Sequence, residues 1–307
     1  MTRKRTGNPV HGWIILDKPL GMSSSQAVAA VRRRLAAQKA GHGGTLDPLA
    51  TGVLPIALGE ATKTVAWAMA GRKTYRFRLR WGEARSTDDA EGEIVATSPV
   101  RPSAAAIAAV LPRFVGVIEQ VPPVYSAVKI AGRRSYALAR AGAAAIPEAR
   151  PAEIVALRLL GQCDADHAEF EAVTGKGVYI RALGRDLAAA LGTVAHIAAL
   201  RRMAVGAFTI ERAISLDNLA ALGHSAAVFE HLLPIETALD DIPALALTEV
   251  EANRLRHGQA IPLIADDRRR AALSGTGSLV RATADRRLVA LAEIGGETLR
   301  PVRVINP

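Results

Sequence analysis

The stretch GHGGTLDPLATG, residues 41–52, places one aspartate, Asp47, among four glycines and a proline. A carboxylate can attack a sugar or base carbon as a nucleophile, and the covalent adduct divides one difficult step into two easier ones. Such a group must be held in place and kept ionised, and glycines with a proline allow close backbone approach and a fixed geometry. An Asp-Pro turn that caps a helix has the same composition. The residues alone leave both interpretations open.

Other residue patterns that carry chemistry fit this sequence poorly. A nucleotide triphosphate loop needs a lysine directly after its glycines, and residues 41–52 contain no lysine. The run from Cys163 to His167 contains a cysteine, two aspartates and a histidine, but its spacing matches no zinc motif and favours a solvated turn. Neither HExxH nor GxSxG occurs. The sequence therefore contains no recognisable motif for a nucleotide triphosphate or a zinc ion.

The composition describes a basic globular protein. The chain has 307 residues, of which 50% are hydrophobic and 22% charged, and its formal net charge is +10. This charge predicts a polyanionic partner. The single cysteine, Cys163, rules out an intrachain disulfide and favours the cytoplasm. The first residues lack an apolar stretch behind their basic ones, and no run of eighteen apolar residues occurs, so we expect neither a secretory signal nor a membrane span.

Regular elements must position Asp47. GWIILD (12–17) predicts a strand, and Ser23 with Gln26 forms a capping-box pattern that predicts a helix after it. An apolar run follows the glycine-rich loop. KTYRFRLRW (73–81) alternates aromatic or apolar residues with arginines, which predicts a strand with one apolar and one uniformly basic face.

The second half of the chain contains a long irregular segment between regular elements. Residues 121–151 are rich in Gly, Pro, Ala and Arg and have weak periodicity. Strands are predicted at 153–162 and 168–173, followed by a helix that begins near Arg181. One helix and several short strands predict a small β-rich unit at 245–307.

The segment GHGGTLDPLATGVLPIALGEATK (41–63) closely resembles the signature of the TruB family of tRNA pseudouridine synthases. Further stretches recur in the family's order and spacing and extend the resemblance over nearly the whole chain: DKPLGMSS (17–24), KTYRFRLRWG (73–82), STDDAEG (86–92), VPPVYSAVKIAGRRSYALAR (121–140), GVYIRALGRDLA (177–188), LRRMAVGAF (200–208), LTEVEANRLRHGQ (247–259) and LRPVRVIN (299–306). The last two stretches look like the ending of the bacterial members.

This resemblance implies an α/β (α+β) pseudouridine-synthase fold, with a mixed, largely antiparallel central sheet flanked by helices. Residues 1–244 would form the catalytic domain and residues 245–307 a small β-rich, PUA-type RNA-binding domain. The implied activity is isomerisation of uridine 55 to pseudouridine in the TΨC arm of tRNA. The N-glycosidic bond breaks, the uracil rotates and a C–C bond forms through C5, with no cofactor or metal.

Motif matches also imply the roles of individual residues. Asp47 is the catalytic aspartate, and attack on the ribose or on the uracil ring both remain possible. Arg181 pairs with that carboxylate and favours its ionised form, and Asp89 joins the same network. Tyr75 stacks on the flipped base, which stabilises binding by roughly 1–3 kcal/mol, and helps to remove the C5 proton. His42 helps to displace the base from its stack.

RNA contacts are implied for further residues. The insertion at 121–151 is expected to close over the RNA arm, with its basic side chains neutralising phosphates. The candidates for RNA contact besides His42 are Lys18, Lys63, Tyr179, Lys129, Arg133, Arg134, Arg140, Arg201 and Arg202. For Lys18 and Lys63, simple structural pairing is an equal alternative. We expect a monomeric tRNA-binding protein with no obligate protein partner.

Three other functions remain as alternatives. A tRNA-binding folding chaperone with secondary chemistry would use the same basic cleft. A guide-RNA-directed pseudouridine synthase shares the aspartate loop, but the bacterial-type ending, the insertion and the lack of extended charged tails favour the tRNA enzyme. A glycoside hydrolase is the chemical neighbour, yet it needs two carboxylates flanking a sugar and an activated water.

Overall fold

The structure, a computed structural model of the chain, describes residues 7–307 except 127, 131, 136, 137, 139, 140, 142, 144, 223–225 and 264–278. Its α-helices in the described part are α1 (Ser24–Arg34), α2 (Val65–Ala70), α3 (Ala104–Val110), α4 (Ile180–Ala190), α5 (Leu216–Ala221) and α6 (Glu249–Arg256). Short 3-10 helices lie at Gly59–Lys63, Leu111–Phe114, Ile210–Arg212, Ala226–His231 and Ile235–Leu239.

The strands in the first part of the chain are β1 (Gly12–Lys18), β2 (Ala40–His42), β3 (Ala50–Leu58), β4 (Lys73–Trp81), β5 (Glu83–Arg85), β6 (Ile94–Thr97), β7 (Gly116–Gln120), β8 (Lys129–Ile130), β9 (Arg133–Arg134), β10 (Arg150–Gln162) and β11 (His167–Thr174). The later strands are β12 (Ala195–Val205), β13 (Phe208–Thr209), β14 (Ile214–Ser215), β15 (Leu232–Leu233), β16 (Ala244–Ala246), β17 (Ile261–Pro262), β18 (Leu279–Ala284), β19 (Arg287–Gly295) and β20 (Thr298–Val304).

A mixed sheet of eleven strands forms the centre of the described chain. Its main order is β14-β1-β3-β12-β4-β11-β10-β7, and β2, β13 and β15 pair at the side. Neighbouring strands are antiparallel except for the pairs β1–β14 and β3–β12. This confirms the predicted mixed, largely antiparallel sheet with flanking helices. The strand at 12–17 and the helix that follows the Ser23–Gln26 capping box are also confirmed.

Strand β4 lies in the middle of this sheet and buries its aromatic face. Phe77 stacks on Phe170 of β11 with ring centroids 5.2 Å apart, and the Trp81 ring meets Phe170 edge-on. The predicted alternation is confirmed, since the arginines of β4 share its opposite, less buried face. Arg76 forms an ion pair with Glu171, and Arg78 pairs with another glutamate of β11. These carboxylates come from the neighbouring strand and neutralise the arginines.

The end of the chain forms a separate five-stranded sheet in the order β16-β18-β19-β20-β17. This confirms the predicted β-rich C-terminal part. The sheet has its own apolar core, which includes Leu255 of α6 and Leu299 of β20. A second apolar cluster joins it to the central sheet, since Leu291 and Ile305 are grouped there with Trp13 of β1. Among the described residues, no helix is both long enough and apolar enough to cross a membrane.

Candidate active site

The loop between β2 and β3 presents the carboxylate of Asp47 to solvent. Oδ2 of Asp47 lies 2.9 Å from Nη2 of Arg181, which comes from the first turn of α4. The Asp47 side chain is 41% exposed, whereas that of Arg181 is 6% exposed. The pair therefore places an accessible carboxylate on a rigid support.

Arg181 is also fixed by other acceptors. Its Nη1 donates to the carbonyl of Thr87 at 2.9 Å and lies 3.6 Å from Oδ2 of Asp89. The carboxylate of Asp89 is buried and accepts hydrogen bonds from the Thr87 hydroxyl and the Glu91 amide. The turn at residues 86–92 thus contributes a buried part of the site. The structure brings Asp47, Arg181 and Asp89 together.

Beneath the loop, Arg202 of β12 makes a second set of contacts. Its side chain is 1% exposed, and its guanidinium donates to the carbonyls of Gly44, Thr45 and Val53 at 3.0, 3.2 and 2.7 Å. Arg202 was predicted to contact RNA, and in the structure its donors are buried and engaged by the backbone of the protein. Arg202 supports the loop that carries Asp47 from below.

Lys18 has a similar place at the end of β1. It is 0% exposed, and its Nζ donates to the carbonyls of Met22 and Pro48 at 2.7 and 3.3 Å. Burial lowers the pKa of Lys18 to about 8, although the charge of Asp47 acts in the opposite direction. Structural pairing, one of the two predicted alternatives for Lys18, is present in the structure. Lys18 supports the residue that follows Asp47.

Tyr75 and His42 lie within electrostatic reach of Arg202. Tyr75 is 9% exposed on β4 and sits opposite Arg202 in the β4–β12 ladder, and its hydroxyl interacts with that guanidinium. Burial lowers the pKa of His42, and the positive charge of Arg202 lowers this pKa further. The His42 imidazole, with a buried Nδ1, therefore favours its neutral form. Both rings border the loop that carries Asp47.

Other predicted RNA contacts are partly engaged within the protein. Lys63 forms an ion pair with Glu60 at 2.6 Å and donates to the carbonyl of Val304 at 2.8 Å. Arg201 makes two hydrogen bonds to the carboxylate of Asp17, at 3.0 and 2.7 Å, and remains 39% exposed. Arg201 is therefore accessible at the surface, although Asp17 neutralises its charge.

The remaining candidates for RNA contact are Tyr179, at the start of α4, and the basic residues of the insertion at 121–151. Tyr179 precedes α4, and the guanidinium of Arg150 lies 5.1 Å from the centroid of its ring. Arg133 is exposed on β9, which pairs with β8. Arg140 lies outside the described residues, as do the side chains of Lys129 and Arg134.

Two charged residues near the site were missed by the sequence analysis. Arg185 lies one turn after Arg181 on α4, and its Nη1 is 3.1 Å from Oδ2 of Asp88. Burial raises the pKa of Asp88, while the positive charge of Arg185 opposes this shift. The spacing of the two arginines, i and i+4 on one helix, was the available signal. Among the described residues, no cluster of His, Cys, Asp and Glu has the geometry to hold a metal ion.

Three family domains match the chain in succession. Residues 32–180 match the TruB family pseudouridylate synthase N-terminal domain, and residues 181–240 match the tRNA pseudouridylate synthase B C-terminal domain. Residues 243–305 match the domain described as pseudouridine synthase II TruB, C-terminal.

Full-length relatives carry the name tRNA pseudouridine synthase B. The relative from Rhodospirillum rubrum is 55% identical over 308 residues and covers 100% of both chains. The relative from Bradyrhizobium diazoefficiens is 54% identical and covers 99% of this chain and 88% of its own. That from Caulobacter vibrioides is 49% identical, with 100% and 99% coverage.

Solved structures have the same fold over the whole chain. A chain in the crystal structure of a Cbf5-Nop10-Gar1 complex is 26% identical, with a TM-score of 0.74, and covers 100% of this chain and 92% of that one. A chain of the archaeal box H/ACA sRNP Nop10-Cbf5 complex is 24% identical, with a TM-score of 0.73, and covers 100% and 93%. The latter likeness concerns the fold alone.

Proposed function

The chain belongs to the TruB family of pseudouridine synthases, a family of isomerases, and on this premise we propose that it converts uridine 55 to pseudouridine in the TΨC arm of tRNA. The observation that carries the proposal is the ion pair of Asp47 with Arg181. An exposed carboxylate, 2.9 Å from a buried guanidinium, lies on a loop supported from below. This arrangement suits a nucleophile that acts on a substrate entering from solvent.

The reaction is an isomerisation, so no atom has to be supplied by a second substrate. The bond between ribose C1′ and uracil N1 breaks, the base turns, and a bond forms between C1′ and C5. The proton leaves C5 and N1 gains one. The carboxylate of Asp47 begins the reaction by attack on ribose C1′ or on the uracil ring. On both routes the guanidinium of Arg181 holds the attacking carboxylate in place.

Tyr75 and His42 prepare the base for this step in our proposal. The aromatic ring of Tyr75, opposite Arg202, provides a face on which the flipped uracil stacks, and its hydroxyl assists removal of the C5 proton. His42, in its neutral form, fills the space that the base leaves in the RNA. Asp89 acts through Arg181 and keeps the guanidinium oriented toward Asp47.

RNA binding extends beyond these residues. We propose that residues 1–244 form the catalytic domain and that residues 245–307 form a PUA-type RNA-binding domain. The separate sheet and core at the end of the chain support this division. The insertion at 121–151 closes over the RNA arm. In this proposal, the protein acts as a monomer in the cytoplasm on tRNA, without a protein partner, cofactor or metal.

The test uses an unmodified tRNA transcript labelled with tritium at C5 of uridine. The purified chain is expected to release tritium from this transcript and not from one in which uridine 55 is replaced by cytidine. Asp47→Asn should abolish release and leave tRNA binding within about threefold, since only the nucleophile is lost. The control is Asp164→Asn, in an exposed turn, which should leave release unchanged.

Each other outcome has a definite meaning. No release at stoichiometric protein would contradict the proposed function. Release of free uracil would indicate a glycoside hydrolase, and a requirement for an added guide RNA would indicate a guide-directed synthase. If Asp47→Asn restored tRNA folding as well as the unaltered chain, a chaperone activity would exist beside the chemistry.

A further inference from the structure

Both ends of the insertion at 121–151 are attached to the beginning of helix α4. Gln120, the last residue of β7, is 1% exposed and exchanges two hydrogen bonds with the backbone of Tyr179, at 3.1 and 2.8 Å. At the other end, Arg150 donates to the carbonyl of Gly177 at 2.8 Å and lies over the Tyr179 ring. The insertion therefore enters and leaves at the same place, next to Arg181.

Two arginines of α4 bind the leading segment of the insertion directly. Nη2 of Arg185 donates to the carbonyl of Val121 at 2.8 Å, and Nη2 of Arg181 donates to that of Tyr125 at 2.9 Å. The same Nη2 atom of Arg181 lies 2.9 Å from Asp47. A displacement of Tyr125 would therefore act on the guanidinium that holds the catalytic carboxylate.

The turn at 86–92 supplies one carboxylate to each arginine. Asp88 pairs with Arg185, and Asp89 lies near Arg181. Asp88 has a φ of +60°, a conformation that ordinary side chains avoid, and its carbonyl accepts a hydrogen bond from the Ile197 amide at 3.0 Å. The backbone of the turn is thus fixed to β12, and the Asp88 side chain is 18% exposed. This is a rigid and largely buried partner for Arg185.

We propose that Arg185 and Asp88 form a positioning pair that fixes the start of the insertion relative to Arg181 and so keeps Asp47 in place. This inference rests on the proposed function. Without the pair, the carbonyl of Val121 loses its hydrogen bond from Arg185. The start of the insertion then remains attached to α4 only through Gln120 and Arg181. Because Nη2 of Arg181 also contacts Asp47, this attachment leads directly to the carboxylate. Movement of the insertion would then be transmitted to the catalytic carboxylate.

The first test separates catalysis from binding. Arg185→Met, Asp88→Asn and the double variant are compared in single-turnover pseudouridine formation at saturating tRNA transcript. Each single variant should react at least about tenfold more slowly, because small misplacements at a reacting centre have large effects on rate. The tRNA Kd should change less than about threefold, and the double variant should be no slower than the slower single one, since both changes break the same pair.

The controls separate positioning from general loss of structure. Arg158→Met removes an arginine whose side chain is 66% exposed and pairs with Glu171, and it should leave the rate unchanged. Arg185→Lys keeps the charge without the fork that reaches both Asp88 and Val121, so it should lose most of the rate as well. The proposal would be overturned if the rate losses of the two single variants multiply in the double variant, or if Arg185→Met reacts at the unaltered rate.

A second measurement does not depend on catalysis. Amide hydrogen exchange at residues 121–126 should become faster in Arg185→Met, while strand β11 at His167–Thr174 should exchange as before. An unchanged rate of amide exchange at residues 121–126 would also overturn the proposal, even if the enzyme is active. If the unaltered chain forms no pseudouridine but exchange changes as expected, the proposed function has failed and the positioning pair has not.

Discussion

At the scale of single residues, the buried guanidinium of Arg202 is the main support of the Asp47 loop. Its three donors satisfy the carbonyls of Gly44, Thr45 and Val53. Arg202→Met should leave these buried acceptors without partners, at about 1–3 kcal/mol each. We expect the free energy of unfolding to fall by roughly 3 kcal/mol or more by this reasoning, and pseudouridine formation to fall with it. Denaturant unfolding measures the first effect and tritium release the second.

The neighbouring arginine provides the matched control. Arg201 pairs with Asp17 at the surface, where both side chains are partly exposed. Such pairs contribute about 0–1 kcal/mol, so Arg201→Met should unfold at nearly the original denaturant concentration. Equal losses of stability in the two variants would contradict the assignment of Arg202 as the support of the loop.

The pH dependence of stability should contain a contribution from Lys18. Burial lowers the pKa of Lys18 from its ordinary value of 10.5 to about 8. Between these two values the unfolded chain binds the proton and the folded chain has lost it, so stability rises with pH in this window. Below pH 8 both states are protonated and the contribution is absent.

The variant Lys18→Met has no titrating group at this position, so a comparison of its stability with that of the unaltered chain isolates the contribution of Lys18. The stability of the unaltered chain minus that of Lys18→Met should therefore increase from pH 8 toward 10.5, by at most about 1.4 kcal/mol per pH unit. Denaturant unfolding at several pH values measures this difference. A difference that stays constant or decreases as the pH rises would show that Lys18 keeps its proton in the folded protein.

The sequence was informative about which side chains meet and uninformative about which are buried. The motif match named Asp47, Arg181 and Asp89, and the structure brings these three together. Arg202 was named as a candidate RNA contact, and the sequence did not indicate that it is buried. Its burial depends on carbonyls from a loop and from β3, which only the folded chain places around it.

At the scale of secondary structure elements, the close contact of β3 with β12 fixes the end of the loop that carries Asp47. Gly52 has a φ of +95°, and a Cβ at this position would lie 2.2 Å from the carbonyl oxygen of Arg202. Gly52→Ala must therefore separate the two strands, since neither backbone can move alone. We expect a loss of stability well above the roughly 1–2 kcal/mol that a left-handed conformation costs, together with loss of activity.

Gly21 is the matched control for this substitution. Its φ is +78°, but a Cβ there would meet no atom within 4 Å. Gly21→Ala should cost only the conformational term of about 1–2 kcal/mol. Denaturant unfolding of both variants separates backbone conformation from steric contact. If Gly21→Ala is as unstable as Gly52→Ala, the close approach of β3 and β12 is not what requires glycine.

Elements with strong local signals were predicted well, and their pairing was not. The Ser23–Gln26 capping box and the alternation in 73–81 each depend on neighbouring residues, and the structure has the helix and the strand at these positions. The charge of the exposed face of β4 depends instead on glutamates of β11, about ninety positions later in the chain. The position of β12 between β3 and β4 in the sheet likewise depends on contacts between residues distant in sequence.

At the scale of the whole molecule, the two sheets share an apolar cluster and are connected next to the end of β3. Leu291 and Ile305 of the C-terminal part are grouped with Trp13 of β1. Lys63, in the 3-10 helix directly after β3, donates to the carbonyl of Val304. Unfolding of the C-terminal sheet would expose this shared cluster. We therefore expect the chain to unfold in one cooperative transition.

Two leucines of the C-terminal sheet test this expectation. Leu291 lies in the shared cluster and Leu299 in the C-terminal core, and both are 0% exposed. Each change to alanine should lower the free energy of unfolding by about 2–5 kcal/mol. All three tryptophans precede residue 82, and Trp13 belongs to the shared cluster, so tryptophan fluorescence reports on the central sheet and on this cluster. Leu291→Ala and Leu299→Ala should both lower the denaturant midpoint of the unfolding transition that tryptophan fluorescence follows. If Leu299→Ala leaves this midpoint unchanged while amide exchange at 279–304 becomes faster, the C-terminal sheet unfolds independently of the site.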